Sequence, residues 1–430
     1  MKAYIRLSLV VVAMLSVSTA APEIARACGG CFSPPNPTGT VSVVSAHRMA
    51  FLSSPSGSIL WDQIQYTGSP ADFVWVLPVS GTPTVEVADN GFFEALALAT
   101  QITMVAPTPP RTFCPSSSCG FPGGFGADAA ASDAGAASDT GPAVHVFHEG
   151  VVGPYETATI GSTDPMALVT WLHDHGYEVN SEIEPTIAYY VGLGMNFVAL
   201  RLAPTSGIDR MTPVRIATPG LALSLPLRMI AAGVGSEVQL ELFVFAESRM
   251  EAANFGNAEV DRAAITFDWA SRTFDYDARF DDAMFRGTGV LNNWVSEYAQ
   301  TAPLSNMRYY SSGFGADMHS AMADTDLVIE ALPNAYLTRL RTRLPPSQLG
   351  TDLTLRLSTG ADIGTYIRVT RELHRAPDIT CPPPPTCPGA RRPFSAMGGG
   401  CAIGNGDGGT TLFATCILIA VLVMRRRRLL

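Results

Sequence analysis

The last stretch of the sequence, CAIGNGDGGTTLFATCILIAVLVMRRRRLL, limits the fold more than any other feature of the chain. Residues 408–424 carry no charge and would form a helix of about 25 Å, which is long enough to cross a hydrocarbon core. The run has no polar face, so it does not predict an amphipathic helix on the membrane surface. Four arginines follow, and the positive-inside rule keeps them in the cytoplasm. We therefore expect a transmembrane helix at 408–424 and an arginine-rich cytoplasmic tail at 425–430.

The first 27 residues have the pattern of a secretory signal peptide. A basic start precedes the apolar run LSLVVVAMLSVSTA, and small residues follow. Cleavage after Ala20 or after Ala27 fits the small-residue rule, and the second leaves Cys28 as the new N-terminus. A lipoprotein signal at Cys28 is disfavoured, because an alanine stands where that motif needs a large apolar residue. The two ends predict an exported single-pass protein, with its body held at the membrane or cell surface on the non-cytoplasmic side.

The composition excludes several classes of function. Lys2 is the only lysine and lies within the expected signal peptide, so the body has no amine for a phosphate-binding loop, a Schiff base or a Ser-x-x-Lys acylase. The chain has 38 acidic against 28 basic residues, and its formal net charge of −10 opposes binding to polyanions. We expect no nucleic-acid partner and predict no cofactor.

Six cysteines outside the C-terminal segment occur in three close couples. These are Cys28 with Cys31, Cys114 with Cys119, and Cys381 with Cys387. An exported chain oxidises its thiols, which favours structural disulfides, with pairing between neighbours as the favoured arrangement. The spacing of CGGC also suits zinc or a redox motif. However, the other two couples do not complete a zinc pattern, and FSPPNP does not start the helix that a redox motif needs. No metal site is predicted.

The body divides into a domain and a stalk. Residues 28–375 are expected to form one exported domain. Within it, residues 107–142 contain almost no large apolar side chain beyond three phenylalanines, so this segment cannot bury enough surface to offset the entropy of ordering. We predict a disordered, low-complexity insertion there. Residues 376–407 are Pro-rich and then Gly-rich, which is typical of a semi-extended stalk, here ending in a cysteine-containing motif.

Short runs separated by turn residues predict an α+β fold. Strands are predicted for RMAFLSS, SILWDQIQYT, ADFVWVLPVS, AVHVFHEG, YETATIGS, MNFVALRLA, TPVRIAT, LALSLPLRMIAA, EVQLELFVFAES, DLTLRLS and TYIRVTREL. Helices are predicted for ADNGFFEALALATQ, TDPMALVTWLHDHGYEV, DDAMFRGTGVLNNWVSEYAQ and DTDLVIEALPNAYLTRLRTRL. In EVQLELFVFAES, Gln239 and Glu241 alternate with apolar residues that face the other way. The result is a mixed α+β domain with largely antiparallel β-sheets and several helices.

Capping residues mark two of these helices. Asp89 or Asn90 is expected to cap the first helix. Asp164 caps the second, Pro165 suits its first turn, and Gly176 ends it.

Six distinctive strings spread over the body carry a resemblance to a known family. They are ACGGCF, ILWDQIQYTGSPADFVWVLPV, VGPYETATI, NFVALRLAP, MTPVRIATPGLALSLPLRMIAAG and YLTRLRTRLPPSQLGTDLTL. Through them, most of residues 28–371 resembles the bacterial domain of unknown function DUF2330. The resemblance implies no activity and no site residue.

The C-terminal segment carries a second resemblance. The glycine-rich stretch around Cys401, the apolar run and the arginine cluster are together similar to the MYXO-CTERM sorting signal. In that family the cysteine before the span marks processing by a membrane-embedded protease and transfer to the cell surface, and Cys401 is the matching position. The resemblance implies two partners for this end, the membrane and a sorting protease.

Histidine pairs are the first candidates for chemistry. The motifs Gly-x-Ser-x-Gly and His-Glu-x-x-His are absent, and so is Gly-x-Gly-x-x-Gly between a strand and a helix. His173 and His175 lie two apart on a predicted helix and so point about 200° apart. His145 and His148 are expected on opposite faces of a strand. Neither pair is expected to share a metal ion.

Acidic and aromatic residues are the next candidates. Calcium is one interpretation of the aspartates in DYDARFDD, and an acid-rich helix start explains them equally well. These aspartates are Asp275, Asp277, Asp281 and Asp282. The tryptophans Trp61, Trp75 and Trp171 are expected in the core rather than on a sugar-stacking platform.

Two functions of different classes remain. The preferred one is a non-enzymatic surface or envelope protein whose domain binds or structures something outside the membrane, with an unknown ligand. The alternative is an exported hydrolase or modifying enzyme, which predicts a pocket that brings His47, His148 or His319 beside a carboxylate or a serine. Arg201 and Arg215 complete the set of polar residues to locate in the structure.

Overall fold

The computed structural model describes most of the body of the chain. The described residues are 31–32, 43–67, 74–109, 145–176, 179, 181–202, 212–231, 234–287, 292–314, 318–374 and 376, and they belong to one compact unit. The expected signal peptide, residues 110–142 of the insertion, residues 377–407 of the stalk, the transmembrane segment and the tail lie outside them. The predictions for those segments stay predictions.

The described part contains 21 strands and seven helices. The strands are β1 (Cys31–Phe32), β2 (Val43–Ser54), β3 (Gly57–Thr67), β4 (Val74–Val79), β5 (Thr84–Val87), β6 (Thr103–Val105), β7 (His145–Val152), β8 (Tyr155–Gly161), β9 (Asn196–Leu202), β10 (Val214–Pro219), β11 (Ser224–Leu225), β12 (Val234–Ala246), β13 (Met250–Ala252), β14 (Asn257–Glu259), β15 (Thr266–Asp268), β16 (Thr273–Phe274), β17 (Trp294–Thr301), β18 (Tyr336–Leu344), β19 (Leu353–Leu357), β20 (Tyr366–Arg368) and β21 (Arg371–Leu373). The helices are α1 (Asn90–Ala99), α2 (Pro165–Asp174), α3 (Glu184–Gly192), α4 (Leu227–Ile230), α5 (Tyr276–Phe285), α6 (Leu304–Phe314) and α7 (Met318–Ala331). None of these described helices has the length and apolar composition needed to cross a bilayer.

Eight strands form the larger sheet, in the order β14-β17-β18-β12-β2-β3-β10-β5. Neighbours run antiparallel except for two parallel pairs, β14 with β17 and β12 with β2. The alternation predicted for β12 is confirmed, because Val238 and Leu240 are buried on one face and Gln239 is exposed on the other. This sheet therefore has one apolar face and a second face that is polar over part of its area.

Five strands form the second sheet, in the order β1-β4-β9-β8-β7, and all its neighbours run antiparallel. Both faces of its centre are apolar. In β4, for example, Val74 and Val76 pack on one side while Trp75 and Leu77 pack on the other. A strand buried on both sides needs a cover on each face, and the rest of the chain supplies both.

The two sheets and their helices form four layers. One core cluster joins Trp75 and Leu200 of the smaller sheet to Leu240 and Leu242 of the larger sheet. Helices α2 and α3 cover the outer face of the smaller sheet. Helices α1, α6 and α7 cover part of the outer face of the larger sheet, where they pack on residues such as Phe243. The mixed α+β class with antiparallel sheets is confirmed.

Helix α5 lies beside the remaining part of that outer face. It packs with β15, β16 and Val295 of β17 in a separate small core. Three short sheets complete the fold, β11-β19-β13, β16-β15-β21 and β6-β20. Helix α5 thus stands next to the polar area of the larger sheet.

The predicted helix caps are confirmed. Asp89 is the N-cap of α1 and accepts a hydrogen bond from the Gly91 amide at 2.6 Å. Asp164 is the N-cap of α2 and accepts from the Met166 amide at 2.9 Å. Gly176 follows the end of α2 with φ of 84°, a left-handed conformation that glycine adopts without strain.

Two predicted helices are wrong in their second halves. DDAMFRGTGVLNNWVSEYAQ is helical only to Phe285, and Trp294–Thr301 is the strand β17. Gly287, with φ of 77°, breaks the helix. DTDLVIEALPNAYLTRLRTRL is helical only to Ala331, and Tyr336–Leu344 is β18, because Pro333 separates the two and the following residues alternate with the period of a strand.

The long strand predicted for LALSLPLRMIAA is also wrong. Only Ser224–Leu225 pairs in a sheet, and Leu227–Ile230 forms the short helix α4. Pro226 lies between them and cannot donate a ladder hydrogen bond, so it ends the strand.

Candidate functional site

A cleft of about 550 Å³ opens on the polar area of the larger sheet, next to α5. Arginines from two strands dominate its lining, together with acids and glutamines. They are Arg48 of β2 and Arg339, Arg341 and Arg343 of β18. We refer to it as the arginine cleft.

The strand period places these arginines together. Residues two apart on a strand share a face, so Arg339, Arg341 and Arg343 form one row along β18. Glu241 of β12 is the register partner of Arg341 on one side and of Arg48 on the other. Three adjacent strands therefore present alternating charges across the floor of the cleft.

Carboxylates of the sheet hold three of the guanidinium groups in place. Arg339 lies 2.5 Å from Glu241, and Arg341 donates to both oxygens of Glu297 at 3.0 Å. Arg48 lies 3.1 Å from Glu94 and 3.5 Å from Glu241. Such pairs fix the orientation of side chains that would otherwise be mobile.

Glu297 is the most deeply buried carboxylate of this network, with a side chain only 1% exposed. Burial works against the charge of Arg341, but the Glu297 carboxylate outweighs it and raises the pKa of Arg341. The Tyr276 hydroxyl donates to Glu297 at 2.7 Å, and burial together with the charge of Glu297 raises the pKa of Tyr276. Arg341 thus stays charged and the phenol of Tyr276 stays neutral near pH 7.

Helix α5 forms one wall of the cleft. The Phe280 ring lies beneath the Arg341 guanidinium, and the distance from Arg341 Cζ to the centre of the ring is 4.5 Å. Asp281 accepts a hydrogen bond from Arg343. Asp277, one turn earlier, also lines the cleft. The wall therefore offers an aromatic ring and two carboxylates.

Several polar groups of the cleft are not committed to other residues. The side chains of Gln65, Gln239 and Asp277 make no hydrogen bond or ion pair within the part of the chain that the structure describes. Both glutamines are exposed. The cleft can therefore offer amide donors and acceptors, a carboxylate and guanidinium N–H groups to a small polar ligand.

A second polar group lies between the two sheets. His47 and Asp62 are 0% and 2% exposed, and His47 Nδ1 lies 3.1 and 3.2 Å from the two Asp62 oxygens. His47 Nε2 is buried without a hydrogen-bond partner among the described residues. The Trp75 ring centre lies 6.4 Å from the imidazole. The structure therefore brings His47 beside a carboxylate, which is the pairing that the enzyme alternative predicts for this residue.

The other histidines are not brought together. His175 stacks on Trp171 at 3.8 Å, and its Nδ1 lies 2.7 Å from the Trp171 carbonyl oxygen. His173 is on the last turn of α2. The side chains of His145 and His148 lie outside the described part, and His319 does not line either described cleft.

The four aspartates of DYDARFDD pair with arginines and backbone instead of facing one point. Asp275 accepts from the Thr266 amide at 2.6 Å and pairs with Arg279 at 2.7 Å. Asp282 lies 3.5 Å from Arg279, and Asp281 binds Arg343. No group of three metal-binding side chains forms among the described residues.

The two arginines singled out from the sequence have different settings. Arg215 is largely buried and bridges Asp324 at 2.5 Å and Glu86 at 2.6 Å. Arg201 is 43% exposed, lies 3.8 Å from Glu156 and lines a second cleft of about 360 Å³ with Trp171. The predicted burial of tryptophans is confirmed for Trp61 and Trp75, and Trp171 is half-buried.

Most of the predicted processing and disulfide residues lie outside the described part. Cys31 is in β1, where it is the register partner of Trp75. Ala27, Cys401 and the other five cysteines of the proposed couples are not described. Cleavage, sorting and disulfide pairing therefore stay predictions.

Sequence reasoning missed the arginine cleft. Its signal is the period-2 spacing of arginines in YLTRLRTRL, which the helical interpretation of that segment obscured. Read as a strand, the same letters place all three arginines on one face.

Comparison with known proteins gives a family without an activity. No curated protein and no solved structure matches the chain. A family model described as an uncharacterized protein conserved in bacteria, DUF2330, matches residues 24–356. These residues hold the arginine cleft and the His47–Asp62 pair. The chain belongs to the DUF2330 family.

Proposed function

We propose that this chain is an exported, surface-held binding protein and that the arginine cleft is its ligand site. The observation that carries the proposal is the row of fixed guanidinium groups facing a cleft of about 550 Å³. That volume suits a small molecule, and the surrounding polar groups suit a ligand that forms several hydrogen bonds.

Pre-organisation supports a binding role for the cleft. Arg48, Arg339 and Arg341 are held by carboxylates of the sheet and α1, so a ligand does not have to order them. Gln239 is the register partner of Arg343, Gln65 lines the same cleft from β3, and neither side chain has another bonding role among the described residues. A purely structural charge network has no need of such uncommitted amides.

Alanine substitution of the two glutamines tests the site. We expect a small-molecule library to contain compounds that raise the melting temperature of the purified full-length protein. A true ligand should lose most of this effect in the Gln65→Ala/Gln239→Ala variant, whose fold is unchanged because neither side chain has an internal partner. Gln101→Ala, an exposed glutamine outside the cleft, is the matched control. Equal shifts in all three proteins would place the ligand elsewhere and refute the proposal.

The proposed location is supported by the sequence of the two ends. The signal-like start and the apolar run at 408–424 fit export and membrane attachment, with Cys401 as the processing position for a sorting protease. Mass spectrometry of protein purified from its native host tests this. We expect a mature N-terminus at Cys28 and a C-terminus near Cys401. Recovery of intact residues 425–430 would contradict the processing.

The buried His47–Asp62 pair favours one second candidate, an exported hydrolase. A carboxylate that orients an imidazole is the supporting part of a nucleophilic site. However, no serine hydroxyl or thiol is hydrogen-bonded to His47 among the described residues. Hydrolysis of p-nitrophenyl acetate by wild type and His47→Gln separates the two candidates. A hydrolase requires turnover that the variant loses, while a binding protein gives equal background rates.

A further inference from the structure

We propose that the ligand of the arginine cleft carries an oxyanion, either a carboxylate or a phosphate. In the structure, the Asp281 carboxylate of α5 occupies the position on Arg343 that this oxyanion would take. This rests on the proposed function of the cleft. It assigns to Asp281 the role of an internal competitor that a ligand displaces.

The Asp281–Arg343 pair differs from the other ion pairs of the floor. Glu241 and Glu297, which hold Arg339 and Arg341, belong to strands of the same sheet, Glu241 in the ladder of β12 with β18 and Glu297 at the bulge of β17. Asp281 instead reaches Arg343 from the neighbouring helix. Its side chain is 46% exposed, against 1% for Glu297. An exposed ion pair between two elements contributes little net free energy, so a ligand can replace it at low cost.

The guanidinium groups have N–H donors to spare. Arg341 uses only Nη1 for both oxygens of Glu297, which leaves its Nε and Nη2 groups without a hydrogen bond among the described residues. Arg343 uses Nη2 for Asp281. The two residues share one face of β18, roughly 7 Å apart along the strand. One oxyanion between them would meet two guanidinium forks, the geometry that suits carboxylate and phosphate groups.

The unused N–H donors of the lining favour an anion once Asp281 has moved. Four arginines and three carboxylates, Glu241, Asp277 and Asp281, line the cleft. With Asp281 displaced, the lining itself keeps the four guanidinium groups and two carboxylates, Glu241 and Asp277, while Glu297, Glu94 and Glu237 pair with the same arginines from outside the lining. The unused guanidinium N–H groups are donors only, which the oxygens of an anion satisfy and a cation cannot.

Neutralising Asp281 tests the inference by isothermal titration calorimetry. The probes are citrate and inorganic phosphate, with glucose as the neutral comparison. We expect Asp281→Asn to bind citrate or phosphate about tenfold more tightly than wild type, because the competing charge-assisted bond is lost. Asp282→Asn makes the same charge change on the same helix outside the cleft and should match wild type. Adding Arg343→Gln to Asp281→Asn should remove the gain.

Each outcome separates the inference from the proposed function. A tenfold gain confined to Asp281→Asn supports the inference, and the probe that shows it identifies carboxylate or phosphate. Equal affinities for Asp281→Asn and Asp282→Asn, or no binding of either anion to Asp281→Asn, overturn it. If glucose binds while both anions fail, the inference is wrong but the cleft remains a ligand site. The proposed binding role of the cleft itself is tested separately, by the melting-temperature shifts of the Gln65→Ala/Gln239→Ala variant.

Discussion

Asp324 is the residue on which one junction of the molecule depends. It lies on α7, and its side chain is 1% exposed. The carboxylate accepts from Trp61 Nε1 at 2.8 Å, from Arg215 Nη1 at 2.5 Å and from the Asp89 amide at 3.2 Å. Burial raises the pKa of Asp324, although the charge of Arg215 opposes this. A single side chain thus ties α7 to β3, β10 and the start of α1.

Replacing Asp324 by alanine should destabilise the protein strongly. The change removes the acceptor of the buried Trp61 indole N–H and of two part-buried donors, the Asp89 amide and Arg215 Nη1, although Arg215 keeps its pair with Glu86. We expect a loss of about 3 kcal/mol in the free energy of unfolding. Urea unfolding followed by tryptophan fluorescence measures it. Asp326→Ala is the matched control, since Asp326 is 47% exposed and, within the described residues, pairs only with Arg308. A control that loses as much as Asp324→Ala would show that the junction is unimportant.

At the scale of elements, the hairpin of β7 and β8 meets the edge of the other sheet through its turn. Gly153 has φ of 57°, and a Cβ atom built there would lie 2.5 Å from Cγ1 of Val87 in β5. This position therefore requires glycine for two reasons, backbone conformation and close approach.

A pair of glycine substitutions separates these two reasons. Gly176 has φ of 84°, but a Cβ there has no atom within 4 Å. We expect Gly176→Ala to cost about 1 kcal/mol from backbone strain alone, and Gly153→Ala to cost about 1 to 3 kcal/mol more because it also overpacks against Val87. Urea unfolding of the two variants gives the difference. Equal losses would mean that the hairpin turn does not contact β5 in solution.

Local signals predicted many elements but not where two helices end. Asp89 and Asp164 were sufficient to place the starts of α1 and α2, because a cap is a property of neighbouring residues. The strands β17 and β18 were missed because each follows a helix after a short break. The helical period of the first half of each segment was extended to the apolar residues of the second half. Helices α3 and α6 were also missed, and both rest on packing against sheets that the local sequence does not reveal.

The same limit hid the candidate site. The arginine cleft joins β2, β12, β18 and α5, which are far apart along the chain. Sequence reasoning selected Asp281 as part of an acidic cluster but could not pair it with Arg343, because that contact needs the order of strands in the sheet. The contact of His47 with Asp62 likewise follows from the register of β2 against β3.

At the scale of the whole molecule, buried tyrosines make global stability depend on alkaline pH. Burial and the bonded Asp352 carboxylate raise the pKa of Tyr190 above 10.0, and burial with the charges of Tyr66 and Asp62 raises that of Tyr155. Below pH 10 these phenols are protonated in both the folded and the unfolded chain, so their contribution to stability is complete. Above pH 10 only the unfolded chain releases the protons, and the folded state loses stability as the pH rises.

Tyr190→Phe should therefore make the alkaline loss of stability less steep. The phenol of Tyr190 is 1% exposed, and its removal should reduce the slope of unfolding free energy against pH by about 1.4 kcal/mol per pH unit above pH ~10. Urea unfolding between pH 9 and 11, compared with Tyr309→Phe, measures this, because Tyr309 is 76% exposed. A constant offset between Tyr190→Phe and wild type at every pH would show that the lost hydrogen bond to Asp352, and not proton release, is all that the substitution removes.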